Sequence, residues 1–286
     1  MHTSKISVTT RWSDLDTQRH VTSRTYEDFF LEGRYLQLRE LGIPSDKILE
    51  TRNQFRIQEF KISFYKEQNL HSDLDIISHL YLLEGGIFLW VQEALEKDSN
   101  IKACSSLTKG KFIKDLDTNL IFSGQYESIK ESLDLRFNPI AQFNGNCDRI
   151  LNNYTMLYSD RGMFFEYNNS SLLRILEESR WYFSTEIGLN EKVIHEMDMV
   201  TFFMGADVKV YSTPEAGEKL LTKIWIYKID KIRLFMRIDV IRPSNNQVII
   251  SAQEEQLIVS LSKRRPRKAN PDFVEKIQNL VELKDF

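Results

Sequence analysis

The chain has 286 residues, of which 42% are hydrophobic and 28% are charged, so it is long enough to form two globular domains. Its formal net charge of −3 argues against nucleic-acid binding, which requires a basic surface. No apolar run reaches the ~18 residues of a membrane-spanning helix, and the N-terminal residues lack the apolar segment of a secretory signal. Cys104 and Cys147 are isolated, which indicates neither a disulfide framework nor a cysteine-based zinc site. We therefore expect a cytoplasmic globular protein.

The first predicted unit begins with a strand over residues 5–13, in which Ile6, Val8, Thr10 and Trp12 alternate with polar residues. A polar turn follows, and then a helix that Thr22 or Ser23 can cap. The apolar face of this helix has a small residue, Gly33, at its centre, so we expect the helix to lie close against a sheet. Gly42 is expected to end the helix. Four strands are predicted after it, over residues 55–65, 74–83, 87–95 and 103–113.

A segment of this unit, residues 11–43, recurs in altered form 146 residues later. The identical pairs are Ser13 with Ser159, Asp14 with Asp160, Glu32 with Glu178, Arg34 with Arg180, Glu40 with Glu186 and Gly42 with Gly188. A strand over residues 151–159, a polar turn and a helix capped by Asn168 or Asn169 repeat the first order. Further strands are predicted over residues 200–211, 219–229, 232–241 and 247–261. We interpret the pattern as a duplicated α+β unit, a long helix with an antiparallel sheet.

The duplication gives predicted domain boundaries. The first unit is assigned to residues 1–120, a connector to 121–150, the second unit to 151–265 and a C-terminal helical tail to 266–286. The connector region includes a short predicted helix at residues 123–135, and the tail helix is expected to begin at Asn270-Pro271. Because Asp14, Glu32 and Arg34 are repeated in the copy that lacks Asp16, we expect them to make structural contacts.

The first copy resembles the hot-dog-fold thioesterases, in particular the 4-hydroxybenzoyl-CoA thioesterase-like and acyl-ACP thioesterase groups. Their pattern is roughly R-[WY]-x-D-x-D-x-x-G-H-V-N-N-x-x-Y, followed by a Glu and an Arg in the helix. The matching residues here are Arg11, Trp12, Asp14, Asp16, His20, Val21, Tyr26, Glu32 and Arg34. The chain departs from the pattern at Arg19, where glycine is usual, and at Thr22 and Ser23, where two asparagines are usual.

The resemblance implies a tandem double hot dog, a covalent version of the family's homodimer, that hydrolyses acyl-CoA or acyl-ACP without a metal or cofactor. Asp16 corresponds to the family's catalytic carboxylate, as general base or nucleophile. His20 is expected to position Asp16 or to donate to the thioester carbonyl. The backbone amides of Thr22, Ser23 and Arg24, at a helix N-terminus, are the expected oxyanion donors.

The second copy retains Asn168 and Asn169, but has Gly162 at the position of Asp16 and Glu166 at the position of His20. Glu166 is either a second catalytic acid or a remnant of a lost site, and we favour the lost site. Near the C-terminus, a basic run includes Arg264, Arg265 and Arg267. These arginines suit the phosphates of CoA, although a solvated tail is the commoner role of such a run.

Two other functions remain alternatives. A non-catalytic acyl-CoA-binding or sensing protein on the same fold is favoured by the departures at Arg19, Thr22 and Ser23 and by the degraded second copy. A hot-dog hydratase or dehydratase ranks third, because the residues that characterise that class are not found here. The sequence leaves open the length and type of the acyl group and the assembly of the fused pair into a homo-oligomer.

Overall fold

The computed structural model describes residues 2–16, 19–114 and 136–283. Contacts divide the chain into two compact units, Met1–Asn138 with Ser159–Leu173, and Pro139–Tyr158 with Arg174–Phe286. The predicted boundaries followed chain order, whereas Ser159–Leu173, which carries the second polar turn, packs with the first unit. The helix predicted at residues 123–135 lies outside the described residues.

The first unit is an antiparallel sheet with one long helix against it. Its strands hydrogen-bond in the order β1-β3-β4-β5-β2. The helices and strands are β1 (His2–Thr9), a 3-10 turn (Trp12–Asp14), α1 (Ser23–Glu40), α2 (Ser45–Glu50), β2 (Phe55–Phe64), β3 (Asp73–Leu83), β4 (Ile87–Glu96) and β5 (Lys102–Phe112). The four strands predicted after the first helix are therefore confirmed to within one residue at each end.

The second unit repeats this plan. In it β6 pairs with β8, and the sheet continues through β9 and β10 to β7. The described elements of the second sequence copy and the chain after it are β6 (Ile150–Thr155), a 3-10 turn (Tyr158–Asp160), α3 (Asn169–Glu186), α4 (Glu191–Met197), β7 (Val200–Val210), β8 (Lys219–Asp230), β9 (Arg233–Arg242), β10 (Gln247–Ser260), β11 (Arg265–Pro266), α5 (Pro271–Ile277) and β12 (Val281–Leu283). Two short strands extend the sheet, since β11 pairs with β10 and β12 pairs in parallel with β8.

The structure preserves the 146-residue offset of the two copies. Both long helices have 18 residues, and α3 begins 146 positions after α1. The 3-10 turns and the ends of β1 and β6 are separated by the same offset. Equivalent strands also pair in the same order in the two units. The internal duplication predicted from six identities is thus a duplication of structure.

The helix of the first unit lies close to its sheet because of Gly33. A Cβ atom at this position would lie 2.8 Å from Oγ of Ser78 and 3.4 Å from Nε2 of Gln92, so a larger residue would push the helix away. Gly42 and Gly188 have φ angles of 77° and 70°, and each ends its helix in a left-handed conformation. The close approach and both helix ends were predicted from the sequence.

Two details differ from the sequence predictions. The strands before the two polar turns end at Thr9 and Thr155, because the chain then forms 3-10 turns that leave the side chains of Trp12 and Tyr158 77% and 70% exposed. The short helices α2 and α4 were not predicted, since six or seven residues carry too little periodicity. No helix in the described part of the chain is long and apolar enough to span a membrane.

Residues 139–150, for which the sequence suggested only a linking role, pack against the sheet of the second unit. Phe143 lies edge-on to Trp225, with ring centroids 5.1 Å apart, and the guanidinium of Arg149 lies 4.0 Å from the Phe143 ring centroid. Trp225 Nε1 donates to Glu282 near the C-terminus at 2.6 Å. Buried Arg237 donates to the backbone carbonyl oxygen of Ala141. The segment before β6 and the chain after α5 therefore complete this core.

Candidate active site

The first polar turn holds the carboxylate of Asp16 through its own backbone. The Asp16 N–H donates to the carbonyl oxygen of His20 at 2.9 Å, and the Arg19 N–H donates to that of Asp16 at 3.0 Å. The N–H of His20 donates to Oδ1 of Asp16 at 3.1 Å. This carboxylate is exposed and lies in the turn that precedes α1.

The imidazole of His20 pairs with Glu67, since its Nε2 lies 3.2 Å from Oε2 of that residue. The backbone N–H of His20 makes the hydrogen bond to the Asp16 carboxylate. The structure therefore brings the two predicted site residues together through the backbone, and gives the ring of His20 a carboxylate partner that the sequence did not indicate.

Thr22 caps α1 and its amide is already used. Its Oγ1 accepts the N–H of Thr25 at 3.2 Å, and its own N–H donates to the carbonyl oxygen of Asp14 at 3.1 Å. This hydrogen bond removes Thr22 from the predicted oxyanion donors. The amides of Ser23 and Arg24 remain, because the first-turn N–H groups of a helix have no partner within it.

Asp14 has the structural role predicted for it. It is buried, and its carboxylate accepts hydrogen bonds from the backbone and the guanidinium of Arg11. Burial acts to raise the pKa of Asp14, but the hydrogen bonds from Arg11 outweigh it, and the pKa lies below its ordinary value.

The second polar turn has the same backbone hydrogen bonds as the first. The Gly162 N–H donates to the carbonyl oxygen of Glu166 at 2.8 Å, and the Phe165 N–H donates to that of Gly162 at 3.0 Å. Phe165 and its counterpart Arg19 both have left-handed backbones, with φ angles of 62° and 67°. This is the position where the family pattern has glycine, so the turn keeps its shape despite the substitution. Asn168 caps α3 by accepting the N–H of Ser171 at 3.0 Å.

Glu166 is a buried carboxylate in the first unit, with only 6% of its surface exposed. Its Oε1 accepts a hydrogen bond from the hydroxyl of Tyr35 at 3.3 Å. Its Oε2 is buried and has no hydrogen-bond partner among residues 2–16, 19–114 and 136–283. Burial raises the pKa of Glu166 above its ordinary value, against the lowering effect of nearby backbone N–H groups, the Tyr35 hydroxyl and Arg161.

Glu166 is one of the residues that line a pocket in the first unit. Aliphatic and aromatic side chains of α1 and the sheet form most of its wall, with Arg34 and Asn168 as further polar residues. The lining residues are Leu31, Arg34, Tyr35, Leu38, Phe55, Ile57, Trp90, Phe112, Glu166 and Asn168.

Asn169 belongs to a buried polar network beside this pocket. Its Nδ2 donates to Oε2 of Glu27 at 2.8 Å and to the hydroxyl of Thr108 at 2.7 Å. Glu27 also accepts from Arg34 at 2.8 Å, and Arg34 donates to Gln92 at 2.6 Å. Asn169 therefore anchors the start of α3. The sequence gave no sign of Glu27, because the duplication has the apolar Leu173 at the equivalent position.

In the second unit, the arginine of the repeated pair is again bound to a buried carboxylate. Arg180 lies 2.6 Å from Oε1 of Glu254, so both Arg34 and Arg180 are structural, as predicted. Glu32 and Glu178 are exposed, which corrects the structural role expected for Glu32. Arg267 binds the carbonyl oxygens of Met197 and Asp198, whereas Arg264 and Arg265 are exposed.

Among the described residues, no group of three or more His, Cys, Asp and Glu side chains is placed to hold a metal ion.

The comparisons with known proteins concern sequence and fold. Residues 145–277 match the family model described as the thioesterase-like superfamily. No curated protein matches the chain.

Three solved structures resemble the chain over nearly its whole length. A putative oleoyl thioesterase from Lactobacillus plantarum has a TM-score of 0.61 at 9% identity and covers 90% of this chain and 96% of its own. An acyl-ACP thioesterase from Bacteroides thetaiotaomicron VPI-5482 has a TM-score of 0.62 at 10% identity, with 89% and 97% covered. The 12:0-ACP thioesterase from Umbellularia californica has a TM-score of 0.65 at 9% identity, with 93% and 94% covered. The predicted α+β fold of two tandem hot-dog units is confirmed.

Proposed function

We propose that the chain hydrolyses acyl-CoA or acyl-ACP at Asp16, because its residues 145–277 match the family model of the thioesterase-like superfamily. The thioester hydrolases are the enzyme class of that superfamily. The observation that supports Asp16 is its place in the turn. Its carboxylate accepts the His20 N–H at 3.1 Å and directly precedes the first turn of α1. A cytoplasmic location, where both acyl carriers are available, is part of the same proposal.

In the general-base route, the Asp16 carboxylate takes a proton from water while the water oxygen bonds to the thioester carbonyl carbon. The carbonyl π electrons move to oxygen, and the amides of Ser23 and Arg24 stabilise the oxyanion. When the intermediate collapses, the C–S bond breaks and the leaving thiolate takes the proton from Asp16. The products are the carboxylic acid and the free thiol. In the nucleophilic route, Asp16 itself bonds to the carbonyl carbon, the C–S bond breaks and the thiolate leaves. Water then hydrolyses the resulting anhydride to the carboxylic acid and the Asp16 carboxylate, and the proton released from water goes to the thiolate.

The test is thiol release from a panel of acyl-CoAs and acyl-ACPs with short, long and aromatic acyl groups. Glu166→Gln serves as the parent, so that the buried carboxylate of Glu166 does not contribute. Adding Asp16→Asn is expected to lower kcat by about 10²- to 10⁴-fold, the usual contribution of a general base. Adding Glu32→Gln, which changes an exposed glutamate on α1, is expected to leave the rate unchanged.

Two outcomes contradict the proposal. If Asp16→Asn leaves the rate of its parent intact, then Asp16 is not the catalytic carboxylate. If the wild-type protein releases no thiol from any thioester but binds acyl-CoA, the chain is a binding or sensing protein. That alternative is favoured by one observation, the Thr22 amide bound to the Asp14 carbonyl oxygen, because it leaves one oxyanion donor fewer than the sequence predicted.

A further inference from the structure

We propose that Glu166 is the catalytic carboxylate of a second thioesterase site in the first unit, and that it replaces the aspartate missing at position 162. This inference rests on the proposed function, since it assigns the same reaction to a second carboxylate. It reverses the expectation that the second copy has lost its site.

The first support is the common backbone of the two turns. Gly162 and Glu166 exchange the same hydrogen bond as Asp16 and His20, at 2.8 and 2.9 Å. The serine Oγ of Ser171 donates to the carbonyl oxygen of Asp160, as the threonine Oγ1 of Thr25 does to that of Asp14. A carboxylate placed on this turn therefore has the same backbone frame in both copies.

The second support is the position of the Glu166 side chain. A Cβ atom on Gly162 would lie 2.0 Å from Oε1 and 2.7 Å from Cδ of Glu166. The carboxylate thus occupies the space where a side chain at position 162 would begin. The φ angle of Gly162 lies outside the left-handed region, so its backbone does not require glycine. The missing side chain at position 162 provides the room for Glu166.

The third support is the environment of this carboxylate. Glu166 is more than nine-tenths buried, and its Oε2 has no hydrogen-bond partner in the described part of the chain. Buried polar atoms normally have partners, so an unpaired carboxylate oxygen indicates a place for water or substrate. Glu166 is one of the residues that line a pocket whose wall is mostly apolar and includes Leu38, Phe55 and Trp90.

The reaction at this site follows the general-base route. Glu166 takes a proton from water, and the water oxygen bonds to the carbonyl carbon as its π electrons move to oxygen. The first-turn amides of α3, at Asn169 and Ser170, correspond to those of Ser23 and Arg24 and are the donors for the oxyanion. The C–S bond then breaks, and the leaving thiolate takes the proton from Glu166. Tyr35 holds Oε1 and leaves Oε2 to bind water.

The test compares thiol release by four proteins: wild type, Asp16→Asn, Glu166→Gln and the double variant. Two working sites predict measurable turnover in each single variant and a further loss of about 10²-fold or more in the double variant. Turnover in Asp16→Asn no higher than in the double variant would overturn the second site and leave the proposed function intact. Absence of turnover in the wild type would instead remove the proposed function itself.

Gly162→Ala gives a test that leaves the carboxylate in the sequence. Its added Cβ must displace the Glu166 carboxyl group, so it is expected to lower the turnover remaining in Asp16→Asn by at least about tenfold. The matched control adds Gly162→Ala to Glu166→Gln, where turnover at Asp16 is expected to stay unchanged. Thermal unfolding of each variant checks that the fold is retained. An unchanged rate in Asp16→Asn/Gly162→Ala would contradict the shared position of the two side chains.

Discussion

A Cβ atom on Gly162 would lie 2.0 Å from Oε1 of Glu166, so these two residues share the space of one side chain. In the first copy, Asp16 supplies its own carboxylate at the equivalent position, and His20 directs its ring to Glu67. The two turns have the same backbone and differ in which residue supplies a carboxylate. This relationship accounts for a substitution that the sequence alone presented as a loss.

The pH dependence of the second site follows from the burial of Glu166. Burial raises its pKa above the ordinary value of 4.5, and the reaction needs the ionised carboxylate. The turnover remaining in Asp16→Asn should therefore fall, as pH is lowered, at a pH above 4.5. Tyr35→Phe removes a hydrogen bond that lowers this pKa, so it should move the acid limb higher. Arg34 and Arg161 are cationic groups near this site, and neither is substituted in the variants compared. A pH–rate profile with its limb at or below 4.5 would contradict the assignment.

Glu166→Gln should stabilise the protein at neutral pH while removing only the turnover at the second site. Because the folded state raises the pKa of Glu166, it binds the proton more tightly than the unfolded state does. The wild-type free energy of unfolding therefore decreases as pH rises from 4.5 through the folded-state pKa. Glutamine has no such dependence, so its advantage should be greatest above that pKa and smallest below pH 4.5. Urea unfolding at pH 4 and pH 8 measures the difference in free energy of unfolding between Glu166→Gln and the wild type. An equal difference at the two pH values would contradict the burial of Glu166.

The secondary structure was readable from the sequence, but the state of Glu166 was not. The strands, the helix ends at Gly42 and Gly188 and the duplication all depend on local patterns or on a fixed offset in the chain. The burial of Glu166 depends on Tyr35, which is 131 residues away in sequence. The alignment of Glu166 with His20 indicated only that the motif had changed.

The strained turn gives a prediction about stability. Arg19 has a φ angle of 67°, a conformation that costs about 1–2 kcal/mol for a residue with a Cβ atom. Glycine removes this cost but loses about 0.5–1 kcal/mol of backbone entropy. Arg19→Gly should therefore be about 0.5–1 kcal/mol more stable than Arg19→Ala, which keeps the strain. Chemical denaturation compares the two variants, and equal stability would show that the turn is not strained.

The buried arginine of each unit is paired with a carboxylate, but the carboxylate comes from the helix in one unit and from the sheet in the other. Thr108 pairs with Trp90 across β5 and β4, and Glu254 pairs with Met236 across β10 and β9, each 146 residues further along. Glu254 therefore lies at the sheet position of Thr108, and it binds Arg180 at 2.6 Å. In the first unit the carboxylate comes from Glu27 on the helix. The second unit thus shows an alternative position for the carboxylate that pairs with the buried arginine.

This difference between the units predicts that Thr108→Glu compensates for the loss of stability in Glu27→Leu. Glu27→Leu copies Leu173 and leaves Arg34 buried without its carboxylate, which should cost about 3–5 kcal/mol. Adding Thr108→Glu copies Glu254 and should recover more than half of that loss. Thr108→Glu alone adds a second buried carboxylate and should destabilise the protein. Equilibrium unfolding of the three variants measures the effect, and a double variant no more stable than Glu27→Leu would contradict the equivalence.

The buried network could not be predicted for a physical reason. Glu27 and Asn169 are 142 residues apart, and neither has a charged or amide counterpart that would draw attention to the pair. Glu27 is also on a helix face whose other buried residues are largely apolar, so its spacing suggested no polar contact. The repeated Arg34, in contrast, was correctly predicted to be structural, because duplication retained it.

The most direct test of this account is thioester hydrolysis by the wild-type protein and by Asp16→Asn/Glu166→Gln. The account predicts that the wild type releases free thiol and carboxylic acid in equal amounts from at least one acyl-CoA or acyl-ACP. The double variant should retain its fold and lose at least about 10²-fold in kcat. Equal rates in the two proteins, or no thiol release by the wild type, would contradict the account.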